Sequence, residues 1–181
     1  MPTERALVFL LRGINVGGHG KLPMADLRDI ARDLGLRDPA TYIQSGNLVA
    51  RTDLAAADAA RALEEAIAAR TEVSTRVAAR TLAELERIFA DNPFAARTDD
   101  EKQLHASFLF EGDAEALAAL EGLAERLAPD EIALGDGVAW LYAPNGLGRS
   151  NLGKLPKRHS GTTRNWRTVQ RLITMAREAA G

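Results

Sequence analysis

Hydrophobic positions along the chain switch between two periods, and the switches mark out its elements. Residues 5–11 form a short apolar run of the kind that makes a buried strand. A glycine-rich stretch follows, and Pro23 stands where a first helical residue belongs. Met24, Leu27, Ile30, Ala31 and Leu34 then recur at helical spacing until Gly35 stops the helix. Residues 40–44 and 48–52 read as two strands joined by Ser45, Gly46 and Asn47, a turn-forming cluster that predicts a hairpin. An alanine-rich helix is expected over residues 54–70, with Leu63 and Ile67 facing inward. Residues 73–79 alternate, with Val73, Thr75, Val77 and Ala79 on one side, as in a half-buried strand. The order is β-α-β-β-α-β, a ferredoxin-like arrangement complete by residue 80, with both helices on one face of the sheet.

The second half repeats the theme less clearly. Thr81 and Glu84 make a capping-box pattern ahead of a helix with Leu82, Leu85, Ile88 and Phe89 on its buried stripe. Residues 91–102 are polar and read as a loop, and 104–110 as a strand. Asp113 caps a helix through Leu117, Leu120, Ala124 and Leu127. Residues 131–134 and 138–143 pair as a hairpin across Gly135, Asp136 and Gly137. After a long loop, a last helix carries Trp166, Val169, Leu172, Ile173 and Ala176 on one face. This is the same unit with its starting point shifted and one strand missing. The expected fold class is therefore α+β: two ferredoxin-like lobes, residues 1–80 and 81–181, with antiparallel-rich sheets and helices packed on one face.

Composition narrows the chemistry. Without cysteine there is no disulfide framework, thiolate zinc site, iron–sulfur cluster or cysteine nucleophile. The apolar run at residues 6–11 is too short for a signal-peptide core, and no segment approaches the roughly 20 apolar residues that span a bilayer. The cytoplasm is the expected compartment, with no membrane partner. Net charge is −2, but residues 144–181 hold eight Arg or Lys against one acid, leaving fifteen cations and twenty-four acids in residues 1–143. That asymmetry points to a phosphate, a nucleic acid or the acidic remainder of the chain as the partner of the basic segment.

Four segments invite a functional reading. The first, Arg12 to Lys21 with Gly13, Asn15, Gly17, Gly18 and His19, lies between a strand and a helix start, where backbone N–H groups favour an anion. It is neither a dinucleotide fingerprint nor a Walker loop, because Asn15 stands where both need glycine. A tight structural connection explains it equally well. The second, Gln44-Ser45-Gly46-Asn47, is explained by a hairpin turn. The third, Pro144 to Ser150, offers a serine with Gly148 before it, but Leu152 replaces the second glycine of a nucleophile elbow, and a serine hydrolase is poorly supported.

In the fourth segment, Thr162 to Thr168, a helix start is expected with a Thr or Asn cap. Arg164 and Arg167 would then oppose the helix dipole in the first turn, a conflict that a bound anion or an internal carboxylate would remove. Trp166 reads as a core anchor, or alternatively as a stacking surface. His105 belongs to a strand pattern, while His19 and His159 accompany the glycine-rich and basic loops. No histidine has a second ligand at metal-site spacing, so neither metal nor cofactor is expected.

The run RGINVGGHGKLPMADLR, followed by YIQSGNLV, YAPNGLGRS and TTRNWRTV, closely resembles the DUF1697 family, a domain of unknown function. The resemblance covers essentially the whole chain. It implies a small bacterial-type α+β protein built from ferredoxin-like parts, and it supplies no reaction, cofactor or catalytic residue. All four segments fall in loops or at loop–helix junctions, where binding residues concentrate. The expectation is that they converge on one polar cleft between the lobes. Arg12, Lys21, Arg149 and Arg164 would be its cations, Asn15, Asn47 and Asn165 its amides, and Ser45, Ser150 and Thr168 its hydroxyls. The expected ligand is a small phosphate- or carboxylate-bearing molecule. Nucleic-acid binding through the basic segment is the less favoured alternative, since Trp166 is that segment's one aromatic residue. A purely architectural role for the four segments is the third reading.

Overall fold

The computed structural model of the protein describes residues 3–110, 126–154 and 161–181. They form two compact units, residues 1–86 with 171–181 and residues 87–170. The last helix is divided between the two units.

In the first unit, strands β1 (Arg5–Leu11), β2 (Arg37–Tyr42), β3 (Asn47–Thr52) and β4 (Val77–Thr81) form an antiparallel sheet of order β2-β3-β1-β4. This is the order of a ferredoxin-like unit, with β1 central. Helices α1 (Met24–Asp33) and α2 (Ala56–Arg70) connect the strands as the sequence predicts. Leu7, Phe9 and Leu11 of β1 meet Leu27 and Ile30 of α1 and Leu63 and Ile67 of α2 in one core. Alternate residues of β1 fill the other face, and Val8 and Leu10 are fully buried there.

Helix α1 ends as Gly35 foretold. The Gly35 amide donates to the Arg32 carbonyl (2.9 Å) and the Leu36 amide to Ala31 (3.0 Å), the paired bonds of a Schellman motif. Helix α3 (Leu82–Ala90) starts with the predicted capping box: the Thr81 hydroxyl accepts from the Glu84 amide (3.2 Å), while a Glu84 carboxylate oxygen accepts from the Thr81 amide (2.7 Å). Edge strand β2 carries Pro39 at a bulge between Arg37 and Ala40, a position that asks no ladder bond of proline.

The last strand of this unit is shorter at its start than expected. The ladder with β1 opens at Val77, opposite Leu11. Before it, side chains serve the backbone. The Thr71 hydroxyl donates to the Ile67 carbonyl and accepts from the Val73 amide, and the Thr75 hydroxyl accepts from the Arg12 amide (3.1 Å) and donates to the Arg12 carbonyl (2.7 Å).

The second unit repeats the topology with strands β5 (Leu104–Phe108), β6 (Glu131–Gly135), β7 (Val138–Tyr142) and β8 (Thr162–Asn165), ordered β6-β7-β5-β8 and all antiparallel. The missing strand is therefore β8, in residues expected to open the last helix. Helix α4 (Trp166–Ala180) follows it directly. One face of this sheet packs Ala139 and Leu141 with Leu109, Leu127 and Leu152. The other carries Trp140, whose indole N–H donates to the Ile88 carbonyl of α3 (3.0 Å). The helix expected after Asp113, and His159, fall outside or partly outside the described residues. Among the described residues no helix is long and apolar enough to cross a membrane.

Candidate functional site

The four signature segments divide two to each unit. In the first unit, the glycine-rich loop and the hairpin turn are tied together by Asn15. Its amide donates to the carbonyls of Leu22 (2.9 Å) and Gln44 (2.7 Å), and its side-chain oxygen accepts from the Leu22 amide (2.9 Å). Asn15 itself stands at φ 56°, a left-handed conformation that asparagine tolerates better than most residues. The turn is pinned from beneath: Gly46, at φ 83°, accepts from the Leu11 amide, and a Cβ on it would lie 2.8 Å from that of Leu11. Asn47 is fully buried, and its amide donates to the Tyr42 carbonyl and the Ser45 hydroxyl, both at 3.0 Å. Asn15, Ser45 and Asn47 are thus joined in a brace of the first unit. Gly17, Gly18, His19 and Lys21 remain exposed at the tip of the loop.

Ser150 is likewise internal. Its hydroxyl donates to the buried Asp130 carboxylate (2.8 Å) and accepts from the Leu152 amide (2.9 Å), while Asp130 also accepts from the Asn151 amide (3.0 Å). Arg149, one residue earlier, is exposed on a short 3-10 turn (Leu147–Arg149).

The fourth segment corrects the expected helix start. Arg164 lies in β8, opposite Ala106, and not in the first turn of a helix. Its penalty is therefore not the dipole but burial. Desolvation lowers its pKa from the ordinary arginine range to about 10. The guanidinium donates to the Thr162 hydroxyl (2.8 Å) and the Thr163 carbonyl (2.9 Å). Asn165 is the helix cap, accepting from the Thr168 amide (2.8 Å), and Thr168 is buried. Arg167 alone takes the first-turn position and is exposed. Trp166 is a core residue, buried and stacked on Phe89 with ring centroids 4.8 Å apart. On the other face of β5, His105 is buried, and desolvation lowers its pKa. Its Nδ1 has no hydrogen bond of good geometry, and the nearby Gln103 backbone offsets the shift only in part.

A surface depression of about 570 Å³ opens in the first unit where β1 ends and β4 begins. It is lined by Arg12 and Gly13 from the start of the glycine-rich loop, by Ser74, Thr75 and Arg76 ahead of β4, and by Glu64, Glu65 and Ala68 of α2. The β1–β4 register extends past Leu11 and Val77: the Arg12 amide donates to the Arg76 carbonyl at 3.0 Å, setting the two arginines opposite each other. Of the residues lining it, the sequence reading names Arg12 and Gly13 as candidates and none of the others. Arg76 stood on the outward side of a strand pattern, and nothing local announced its partner. Among the described residues no group of three metal-ligating side chains comes together.

The family model described as "Protein of unknown function (DUF1697)" matches residues 5–140. No curated protein matches the chain. Among solved structures, the conserved bacterial protein SP0830 from Streptococcus pneumoniae is 26% identical, with a TM-score of 0.80, covering 96% of this chain and 99% of its own. Four signature segments in order, two ferredoxin-like sheets and a model match over most of the length agree: the chain belongs to the DUF1697 family.

Proposed function

We propose that the protein binds a small molecule bearing a phosphate or carboxylate, and that the anion occupies the depression lined by Arg12, Gly13, Ser74, Thr75 and Arg76. The observation that carries this reading is the cross-strand placement of Arg12 against Arg76. The pairing brings two arginines to one depression, where an anion gains charge-assisted hydrogen bonds. The braces formed by Asn15, Asn47, Ser150 and Asn165 belong to the scaffold on this reading and do not touch the ligand.

Nucleic-acid binding draws less support. Trp166 and Arg164 of the basic segment are both buried, which removes the stacking ring and one of the cations that reading needs.

The test is a thermal-shift screen of the full chain against sugar phosphates, nucleotides and simple carboxylates in phosphate-free buffer. A ligand at a hundred times its Kd adds about 2.7 kcal/mol to stability. The responding compound should lose its effect on Arg12→Gln/Arg76→Gln, each variant's shift being read against its own melting temperature without ligand. An equal response from that variant, or no response to any compound, overturns the proposal.

A further inference from the structure

The glycine-rich loop folds into a finger. The Asn15 amide donates to the Gly20 carbonyl (3.0 Å) and the His19 amide to that of Val16 (3.1 Å), with Gly17 and Gly18 at φ 60° and 79° as the turn between them. Beside it stands the β2–β3 turn, joined to the finger where the Asn15 side chain donates to the Gln44 carbonyl. One residue from that bond, each turn carries a large apolar side chain in water: Val16 is 61% exposed and Ile43 50%. Ile43 also stands at φ 49°, where a β-branched residue is strained and where asparagine or glycine would suit the backbone better. Half of its surface is in water, so packing in its own unit offsets little of that strain. An isoleucine kept against its conformational preference points to a partner that covers it.

The charges beside the patch select the partner. Lys21, just past the finger, is exposed and pairs with no acid among the described residues. Of the three carboxylates on α1, Asp29 is held by Arg32 and Asp33 by Arg70. Asp26, in the first turn, is exposed and holds no cation among the described residues. An acidic partner would satisfy Lys21 and be repelled by Asp26, and a basic one the reverse. A second copy turned about a two-fold axis satisfies both at once. We infer that the protein associates with a second copy of itself through the Val16 and Ile43 patch, with Lys21 of each subunit against the partner's Asp26. Two apolar anchors and one ion pair per subunit place this contact in the weak, transient class. Every contact across the axis occurs twice, so one substitution in the chain removes two interactions. The association is independent of the anion proposed above.

Sedimentation equilibrium of the full chain, from micromolar to millimolar concentration at low salt, measures the association. Wild type should dimerise within that range. Val16→Ser and Ile43→Asn should each weaken the dimer by about tenfold or more, since each removes an apolar anchor from both subunits. Asparagine accepts the left-handed conformation, so Ile43→Asn should stay folded, as its melting temperature at a concentration where both proteins are monomeric will show. Lys21→Glu should weaken the dimer about tenfold, and adding Asp26→Lys should bring it back to within about threefold of wild type. A wild type that stays monomeric overturns the inference, whatever else binds at the patch. A dimer that Val16→Ser and Ile43→Asn leave intact is built through another face and overturns it too. So does a double variant as weak as Lys21→Glu alone.

Discussion

Arg164→Met is the substitution that separates a charge kept for its own sake from one kept as filler and scaffold. Burial lowers the Arg164 pKa by more than two units, to about 10. At about 1.4 kcal/mol per pKa unit, holding the charged form in place costs about 3 kcal/mol. Two of the bonds that receive it run to the Thr162 hydroxyl and the Thr163 carbonyl, and a charged donor returns about 1.5–3 kcal/mol through each. Across these two bonds gain and cost are of the same size, so together they leave the charge little net stability, while the bulk of the side chain fills the space beside Ala106. Methionine keeps most of that bulk and removes both electrostatic terms. Its stability should lie within about 1 kcal/mol of wild type, whereas Arg164→Ala, which leaves a hole, should lose about 2–4 kcal/mol. Urea denaturation followed by tryptophan fluorescence reads this directly, because Trp140 and Trp166, the chain's two tryptophans, are buried in the second unit with Arg164. A methionine variant as unstable as the alanine one would refute the balance and show the charge itself to be required.

Two further substitutions probe the scaffold. Asn15→Ala removes three side-chain hydrogen bonds and puts a Cβ-bearing residue at φ 56° without asparagine's local bonding, for an expected loss of about 2–4 kcal/mol by chemical denaturation. Asn15→Gly should recover about 1 kcal/mol of it through the backbone alone, and equal losses would show that the left-handed conformation carries no strain. His105, whose pKa burial lowers from 6.5, is neutral in the native state while the unfolded chain takes up a proton below that pH. Its contribution is therefore whole above pH 6.5 and declines as pH falls below it, by at most about 1.4 kcal/mol per pH unit. Stability measured between pH 7.5 and 5 should fall less steeply in His105→Phe than in wild type, and parallel slopes would discount the buried imidazole.

The elements that declared themselves in the sequence are those whose boundaries are set by neighbours in the chain. The Thr81–Glu84 box and the Gly35 stop are contacts within a few residues, and both stand where the spacing put them. The hairpin of β6 and β7 is equally local. The errors arose where a distant strand decides. Thr162, Thr163 and Arg164 run straight into a helix with a cap-forming Asn165, and short range cannot tell a helix entry from a four-residue strand. Pairing with β5, more than fifty residues earlier in sequence, makes them β8. The start of β4 moved for the same reason, since its ladder with β1 opens only at Val77, opposite Leu11.

The same distinction governs the candidate site. A sequence shows which residue types cluster along the chain, and glycines, asparagines and hydroxyls cluster in the four signature segments. Those types are also the ones that satisfy backbone groups in tight loops, and Asn15, Asn47, Ser150 and Asn165 spend their polar atoms that way. A ligand-facing charge leaves a weaker mark, because it is defined by what stands across from it. Arg12 meets Arg76 only through the β1–β4 register, and Glu64 of α2 lines the same depression with its carboxylate held by the Val77 amide. In this fold the dense motifs build the frame, and on the anion reading proposed above the ligand falls to residues that no motif contains together.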